Sequence, residues 1–405
     1  MKNLPIKFDK VLLPKKDIDL NKWAVVACDQ YTSQPEYWRD LEKFVGENPS
    51  TYNLIYPEVY LESDTEEDAK KRIDKIISNM QDYMDKDLFY TVDNGLILVK
   101  RTSPSGAVRW GITMLVDLNE YSFDPNDKTL IRATEGTVLE RLPPRIEVRK
   151  NCLLELPHVL VLIDDPKRTV IEPFIRHAKA GKLEKLYDSN LNMNGGHVEG
   201  FHIANQGKIE NALKKLLKNS IKKYGEEFLF AVGDGNHSLA TAKACMDKDN
   251  PLSQYALVEI ENIYDEGIVF EPIHRLVFPK NRDEFIRGLE KIADSESETV
   301  EAKLLVGDKT QSFKLPANAI VGYEKVQKYI DEFLETDGGK VDYIHGEQDL
   351  QEICKAEDGI GIVLNSMDKG TLFDFVVQKG TLPRKTFSMG EANEKRYYIE
   401  ARKIK

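Results

Sequence analysis

The stretch from Phe228 to Ala244 constrains the fold of this chain more than any other. Five apolar residues at 228–232 end at a Gly-Asp-Gly-Asn-His turn, and a small-residue helical pattern runs from Ser238 to Met246. An apolar run that ends at glycine-rich polar residues before a helical pattern is typical of a buried strand leading into a helix. The stretch therefore predicts a strand–turn–helix unit.

The turn also carries chemically useful groups. Gly233 and Gly235 permit positive φ and a close approach of backbone to ligand. Asp234 and His237 supply a carboxylate and an imidazole, and Ser238 is predicted to cap a helix whose N–H groups would bind an anion. The candidate ligand-binding residues of this stretch are Gly235, Asn236, Ser238 and Thr241. The alternative is an ordinary turn, because Asp, Asn and Ser are common turn and capping residues and a single histidine is often structural.

Length and charge limit the class of protein. A chain of 405 residues is long enough for two or three domains, and a net charge of -11 argues against a general nucleic-acid binder. The four cysteines are far apart without a CxxC pair, which predicts reduced thiols in a cytoplasmic protein. The N-terminus lacks the apolar stretch of a signal peptide, and no apolar run is long enough to span a bilayer, so no membrane association is expected.

Hydrophobic periodicity predicts a mixed α/β (α+β) chain. Apolar or alternating runs predict strands at 23–28, 53–56, 96–99, 107–116, 158–163, 197–202, 228–232, 255–260, 268–277 and 360–364, with another near Tyr343. Helical spacing predicts helices at 33–44, 65–84, 171–180, 209–224, 238–246, 282–293, 326–334, 348–355 and 372–378. Ser33 is expected to cap the first of these helices, with Glu36 completing a capping box.

A second stretch, 131–149, is rich in arginine. Its guanidinium groups, Arg132, Arg141, Arg145 and Arg149, are suited to bidentate bonds with phosphate or carboxylate oxygens. The alternative is a solvated surface of alternating charge. Glu135, beside Gly136 and Thr137, is either a general base or a residue at a helix start.

His274 and Arg275 lie late in a strand-like run. They either approach the ligand site predicted at the central turn or form a surface pair. Walker, dinucleotide-binding, protein-kinase and nucleophile-elbow motifs are not found in the sequence. If the protein handles phosphate, it uses none of these arrangements.

The central turn resembles the Asp-Gly-x-His-Arg signature of the ParB/sulfiredoxin-like superfamily, as used in free serine kinases. The whole chain resembles a bacterial and archaeal family whose genes accompany serine biosynthesis and which is often labelled ParB-like. The elements that carry the resemblance are Asn48-Pro49-Ser50, Pro57-Glu58, Thr134-Glu135-Gly136-Thr137, Arg145, His274-Arg275-Leu276-Val277 and Leu382-Pro383-Arg384-Lys385-Thr386. Two positions depart from the pattern: Ser238 replaces the signature arginine, and Thr134 replaces a histidine.

The resemblance implies a ParB/sulfiredoxin-like core with additional N-terminal and C-terminal α/β units. The corresponding segments are 1–125, 126–295 and 296–405. It also implies phosphorylation of free L-serine to O-phosphoserine, with pyrophosphate, ATP or ADP as the phosphate donor. Mg²⁺ is the cofactor expected for this transfer.

The residues are assigned to this reaction as follows. Glu135 is the candidate base, Asp234 binds Mg²⁺ or orients the hydroxyl, and His237 contacts the transferring phosphate. Arg141 and Arg145 hold the donor, and the substrate-binding set also includes Thr137, Gly235, Asn236, Ser238, Thr241, His274 and Arg275. Two other functions stay open: a ParB-like regulator that binds nucleotide or nucleic acid, with DNA disfavoured by the acidic balance, and a nucleotide or pyrophosphate hydrolase.

Overall fold

The structure is a computed structural model that describes residues 3–61, 63–383 and 385–405. It confirms a mixed α/β chain. The helices in this part of the chain are α1 (Leu20–Trp23), α2 (Pro35–Val45), α3 (Glu66–Asp85), α4 (Leu142–Arg149), α5 (Glu172–Lys179), α6 (Gln206–Tyr224), α7 (Asn236–Ala244), α8 (Arg282–Leu289), α9 (Ala319–Asp337), α10 (Glu347–Ala356) and α11 (Leu372–Lys379).

The strands range in length from two residues, as in β1, to ten residues, as in β6. They are β1 (Ile6–Lys7), β2 (Val11–Pro14), β3 (Val25–Val26), β4 (Phe89–Val92), β5 (Ile97–Thr102), β6 (Val108–Asp117), β7 (Tyr121–Ser122), β8 (Ile131–Ala133), β9 (Leu154–Glu155), β10 (Leu160–Ile163), β11 (Lys185–Leu191), β12 (Gly196–His202), β13 (Phe230–Asp234), β14 (Tyr255–Asn262), β15 (Phe270–Pro279), β16 (Thr299–Val306), β17 (Lys309–Pro316), β18 (Gly339–His345), β19 (Ile360–Val363), β20 (Phe387–Met389), β21 (Tyr397–Tyr398) and β22 (Arg402–Lys403).

The chain divides into two compact units. Unit 1 comprises Met1–Ile268 and Glu391–Lys405, and unit 2 comprises Val269–Gly390. The sequence-based boundary between 125 and 126 falls inside unit 1, and the boundary between 295 and 296 falls inside unit 2. Unit 1 is thus formed by two separate segments of the chain, with the C-terminal fifteen residues rejoining it.

Unit 1 is built around a large mixed sheet with strand order β11-β12-β5-β6-β14-β10-β13-β8-β7, in which β1 also pairs with β6. Strands β8 and β13 are parallel neighbours, and β10 runs antiparallel to β13. The carboxyl ends of β8 and β13 therefore lie at the same edge of the sheet as the amino end of β10. Three loops from distant parts of the sequence meet at this edge.

Apolar side chains cover both faces of this sheet. Along β5, Ile97 and Val99 belong to one buried cluster, whereas Leu98 belongs to the other. Alternate residues of a strand point to opposite faces, so the sheet is buried on both sides. The first cluster includes Trp23, Trp38 and the C-terminal Tyr398, and the second includes Leu213 and Leu217 of α6.

Unit 2 has a sheet of its own, with strand order β17-β16-β19-β15-β18 and β20 paired with β15. Its strands pair in antiparallel fashion. Phe285 of α8 and Val326 and Ile330 of α9 are fully buried in its core with residues of β15 and β19. Unit 2 is therefore an α+β unit with a separate hydrophobic core.

Most predicted elements are confirmed, but three local predictions are wrong. Residues 53–56 are not a strand: Thr51–Leu54 forms a 3₁₀ turn, which Ser50 closes by accepting a hydrogen bond from the N–H of Tyr52. Helix α2 is not capped by Ser33, because Gln34 occupies the N-cap position and makes no side-chain capping bond. Helix α7 begins two residues earlier than predicted, so Ser238 is its third residue rather than its cap. In the part of the chain that the structure describes, no helix is long and apolar enough to cross a membrane.

The C-terminal segment is held in unit 1 by a buried guanidinium. Arg396 Nε lies 2.7 Å from Glu259 Oε2, its Nη2 lies 2.8 Å from Glu400 Oε2, and its Nη1 donates to the carbonyl of Pro157 at 2.6 Å. All three charged side chains are almost fully buried. The segment also forms strand pairs, β21 with β3 and β22 with β9.

We expect Arg396→Met to lower the free energy of unfolding by about 3–5 kcal/mol, because it leaves Glu259 and Glu400 buried without their cation. The matched control is Arg168→Met, which removes a half-exposed guanidinium 3.7 Å from Glu266 and should change stability by about 1 kcal/mol or less. Chemical denaturation of both variants measures the difference. Equal losses would contradict a central role for Arg396.

Candidate functional site

Unit 1 contains a cavity of about 150 Å³ beside the first turns of α7. Its polar lining comes from five segments that are far apart in sequence and includes Cys28, Glu58, Arg145, His158, Ser238 and Tyr398. Leu54, Ile55 and Met80 form part of an apolar wall. A concave site with an apolar wall and a few converging polar groups is the usual form of a small-molecule site.

The start of α7 depends on Gly235. This residue is the N-cap, with φ of +81°, and a Cβ placed on it would lie 3.0 Å from the Val159 side chain and 3.1 Å from its Cα. Only glycine combines this backbone conformation with so close an approach. As a glycine, Gly235 has no side chain that could cap the helix. The helix start therefore has no cap from its own N-cap residue, and a carboxylate oxygen, Oδ1 of Asp234, accepts from the N–H of Gly235 at 3.1 Å.

The predicted residues at the start of α7 have distinct environments. Asn236 is buried, and its Oδ1 finds no hydrogen-bond partner among residues 3–61, 63–383 and 385–405. Thr241 is also buried, and its hydroxyl donates to the carbonyl of His237 at 2.7 Å. The Thr241 hydroxyl is thus already used within the helix, whereas the Asn236 amide oxygen is available for a polar ligand.

Asp234 lies at the end of β13 next to a cation from the C-terminal segment. Its Oδ2 is 3.2 Å from Lys395 Nζ, and its Oδ1 accepts from the N–H of Gly235 at 3.1 Å. The Lys395 side chain is only 8% exposed, whereas that of Asp234 is 25% exposed. A buried ammonium and a partly accessible carboxylate therefore lie side by side at the start of α7.

The loop after β8 is joined to the same helix. His237 Nε2 accepts from the N–H of Val138 at 3.2 Å, and Thr134 donates to the carbonyl of Val232 at 2.6 Å. Glu135 and Thr137 lie between these two anchors and are half-buried. Because β8 and β13 are parallel neighbours, Glu135 and Asp234 each lie two residues beyond the paired positions Ala133 and Val232. The structure thus brings the Glu135 loop beside the Asp234 turn.

A hydrogen-bond chain runs from α7 to the C-terminal segment. Ser238 Oγ is 2.7 Å from His158 Nε2, and His158 Nδ1 is 2.7 Å from Tyr398 Oη. Tyr398 Oη also accepts from the N–H of Cys28 at 3.1 Å. His158 is 8% exposed, and all three side chains of the Ser238–His158–Tyr398 chain line the cavity. Burial, together with neighbouring acidic groups, raises the pKa of Tyr398 well above its usual value, so this hydroxyl stays neutral.

The pKa values of two carboxyl groups near the cavity, Asp29 and Glu58, are shifted in opposite directions. Burial opposes ionisation of Asp29, but His158, the Gln30 amide and Lys395 hold its pKa below the usual value. Burial and the neighbouring charge of Asp29 raise the pKa of Glu58, although Arg145 acts against this. Two acids whose surroundings separate their pKa values are a common arrangement for acid–base chemistry.

The arginine-rich stretch does not form one clamp. Arg145 is engaged with Glu58 through two hydrogen bonds, one of them 2.7 Å long, and lines the cavity, while Arg141 is exposed at the N-cap of α4. Arg132 is paired with Glu226 at 2.6 Å, and Arg149 is paired with Glu155. Of the four guanidinium groups, Arg145 and Arg149 line the cavity, and both are already paired with carboxylates.

His274 and Arg275 belong to unit 2, where both are buried, so the surface-pair alternative is wrong. Arg275 donates to Gln327 Oε1 at 2.8 Å and to the carbonyls of Ile273 and Lys385. His274 Nδ1 accepts from the N–H of Leu364 at 3.2 Å. Burial lowers the pKa of His274 to about 4. Both side chains thus have roles within the core of unit 2, and Arg384 of the nearby sequence element lies outside the described residues.

Sequence reasoning did not assign site roles to Asp29, Glu58, His158, Lys395 and Tyr398. Asp29 follows a predicted strand and Glu58 belongs to a motif element, so position alone could have suggested them. His158 precedes the strand β10, and its place beside Ser238 follows only from the antiparallel pairing of β10 with β13. Lys395 and Tyr398 are each more than 150 residues from their partners Asp234 and His158, and no sequence signal connects them.

The fold and the site define a mixed α/β protein with a polar cavity at the edge of its large sheet. A family model described as a protein of unknown function, DUF1015, matches residues 12–344. The chain therefore belongs to the DUF1015 family. No curated protein matches the sequence. The ParB/sulfiredoxin-like relationship stays a prediction.

Several solved structures are distantly similar. A conserved hypothetical protein from Pyrococcus furiosus is 13% identical, with 72% of this chain and 95% of that chain covered and a TM-score of 0.36. A free serine kinase in complex with AMP is 14% identical, with 72% and 91% covered and a TM-score of 0.38. SbnI with a C-terminal truncation from Staphylococcus aureus is 12% identical, with 69% and 82% covered and a TM-score of 0.37. Similarity at this level carries no argument about the site or its reaction.

We expect Gly235→Ala to lower the free energy of unfolding by about 2 kcal/mol or more, because it combines left-handed backbone strain with contact against Val159. Gly225→Ala is the matched control. Gly225 has φ of +74°, and a Cβ there would meet open space, so only the strain of about 1 kcal/mol applies. Urea denaturation compares the two, and an equal or smaller loss for Gly235→Ala would contradict the close approach.

Because burial favours the neutral form of His274, the stability of the protein should depend on pH. Because its folded pKa is below the unfolded value, the unfolded chain binds the extra proton, and stability falls as the pH drops through the window from about 6.5 to about 4. Between pH 7 and pH 5 this contributes a loss of about 2 kcal/mol. We expect His274→Asn, which retains an acceptor for Leu364, to lose less stability over this range in denaturant titrations. If His274→Asn showed the same pH dependence as the wild-type protein, His274 would not be its cause.

Proposed function

We propose that this protein is a small-molecule kinase that transfers a phosphoryl group to the hydroxyl of free L-serine, with pyrophosphate, ATP or ADP as donor and Mg²⁺ as cofactor. The observation that carries the proposal is the start of α7. There a helix N-terminus without a side-chain cap, a buried ammonium and a carboxylate lie together beside a cavity.

The electrostatics of this region support handling of phosphate. The peptide dipoles of α7 and the ammonium of Lys395 both favour the negative oxygens of a phosphoryl group. Phosphoryl transfer requires mainly positioning and neutralisation of charge. In the proposal, Lys395 and the first N–H groups of α7 bind the transferring group, while His237 anchors the Glu135 loop against the helix.

The carboxylates supply the remaining functions. Asp234 would hold Mg²⁺ together with phosphate oxygens and water, which suits a cation that is usually bound through one or two carboxylates. When bound, this ion neutralises charge on the donor phosphates. Within the described residues, no group of three or more acidic, histidine or cysteine side chains could hold a metal ion.

The base that accepts the proton of the serine hydroxyl has two candidates. Glu135 lies two residues beyond the end of β8, in the loop beside the Asp234 turn. Asp29 stays ionised at neutral pH, because His158, the Gln30 amide and Lys395 hold its pKa below the usual value against the effect of burial, although a lowered pKa makes a carboxylate a weaker base. Arg145 and Arg141 remain candidates for contact with the donor, with Arg145 exchanging its bond to Glu58 for one to phosphate.

We expect O-phosphoserine to form when the protein is incubated with Mg²⁺, L-serine and one of the three donors, with mass spectrometry as the measurement. Asp234→Asn should lower the rate about 10²–10³-fold, the usual effect of losing one charge-stabilising group. Asp82→Asn is the matched control, because Asp82 is also paired with a lysine but lies in an exposed ion pair on α3. Full activity of Asp234→Asn would refute its role.

The two candidate bases are separated by Glu135→Gln and Asp29→Asn. Each substitution retains size and polarity. The substitution that removes the true base should lower the rate of phosphoserine formation about 10²–10⁴-fold.

Phosphate release measured with and without serine distinguishes a hydrolase, which needs no acceptor. A gel-shift series at two salt concentrations tests the regulator alternative, for which binding should weaken steeply with salt.

A further inference from the structure

We propose that Ser238 is a covalent nucleophile, which takes the phosphoryl group from the donor before the group passes to the acceptor. The inference rests on the proposed phosphotransfer but goes beyond it, since transfer could equally occur in one direct step. It is carried by the Ser238–His158–Tyr398 chain.

The geometry is that of an activated hydroxyl. An alcohol is a weak nucleophile at neutral pH, and proteins activate it with a base at hydrogen-bond distance that is itself oriented by a third group. Ser238 Oγ lies 2.7 Å from His158 Nε2, and the other ring nitrogen lies 2.7 Å from Tyr398 Oη. The imidazole is therefore held at both nitrogens, and its Nε2 is directed at the hydroxyl.

The tautomer of His158 follows from the role of its Nε2 as the base for Ser238. To accept the Ser238 proton, Nε2 must be unprotonated, so Nδ1 carries the proton and donates it to Tyr398 Oη. That oxygen has two lone pairs, one for His158 and one for the N–H of Cys28. The carboxylate of Asp29, which interacts electrostatically with His158, would stabilise the imidazolium formed when the proton arrives.

The position of Ser238 suits transfer of an anion. It is the third residue of α7, so its hydroxyl lies within the first turn, where the N–H groups favour a phosphoryl group. It also lines the cavity together with Arg145. Ser238, its base His158 and the guanidinium of Arg145 thus border one cavity.

The two steps balance as follows. In the first, Ser238 Oγ bonds to the terminal phosphorus of the donor, the bridging P–O bond breaks, and the shortened donor leaves with that electron pair. The Ser238 proton moves to His158 Nε2. In the second, the acceptor hydroxyl attacks phosphorus, its proton goes to the carboxylate base, and the bond between phosphorus and Oγ breaks. His158 then returns its proton to Ser238 Oγ.

The test uses the full-length protein with each of pyrophosphate, ATP and ADP and Mg²⁺ but without serine. After rapid acid quenching, peptide mass spectrometry should find one phosphoryl group on Ser238, and adding serine before the quench should remove it and yield an equal amount of O-phosphoserine. Ser238→Ala should abolish the label and lower turnover by on the order of 10³-fold or more. Ser189→Ala, which removes a hydroxyl bonded locally in the β11–β12 hairpin, is the matched control and should be unaffected.

His158→Gln tests the base separately. It retains a polar group near the Nε2 position but cannot take the proton, so the rate of Ser238 labelling should fall about 10²–10⁴-fold. Thermal unfolding of each variant establishes that it is folded. Phosphorylation of Ser238 is measured on the wild-type protein without any variant. The inference can therefore be refuted even if a variant does not fold.

The outcomes separate the two proposals. If O-phosphoserine forms while Ser238 is never labelled and Ser238→Ala keeps its turnover, the covalent step is overturned and the kinase function stands. If Ser238 is labelled but serine does not discharge it, the covalent step stands and the acceptor is wrong. If no donor phosphorylates either Ser238 or serine, both proposals are overturned.

Discussion

The buried guanidinium of Arg396 is the interaction on which the architecture of unit 1 depends. It pairs with Oε2 of Glu259 on a central strand and with Glu400 on the C-terminal segment, and it donates to the backbone of the loop before His158. Removing water from these charges is costly, so the arrangement is stable only while all partners are present. The network therefore ties the last fifteen residues to the sheet and to the loop that carries His158.

The candidate site follows from this attachment. Lys395 and Tyr398 flank Arg396 closely in sequence, and they contact Asp234 and His158 respectively. Without the returning segment, Asp234 would lose its ammonium partner and His158 would lose the hydroxyl at Nδ1. A buried ion network outside the cavity thus sets the positions of groups that line or adjoin it, which is a general way to hold catalytic side chains within narrow limits.

Sequence patterns predicted the elements of the fold better than their ends. The apolar run at 228–232 and the turn after it identified β13 and α7 correctly, since burial and glycine content are local properties. The start of α7 was missed because Gly235 takes the N-cap position through its positive φ, which a capping rule based on Ser238 does not anticipate. The apolar pattern of 53–56 predicts a strand, but the hydroxyl of Ser50 stabilises a turn there instead.

The sequence by itself determined the mixed α/β class, the strand–turn–helix unit and the concentration of polar groups around Gly235, because periodicity and turn chemistry depend on neighbouring residues. Only the tertiary structure decided that His158 meets Ser238, that Lys395 meets Asp234, and that Arg132 and Arg145 have different partners. It also buried His274 and Arg275 within unit 2. These pairings depend on strand order, strand direction and the desolvation of distant charges, and such long-range contacts leave no periodic pattern in a single sequence.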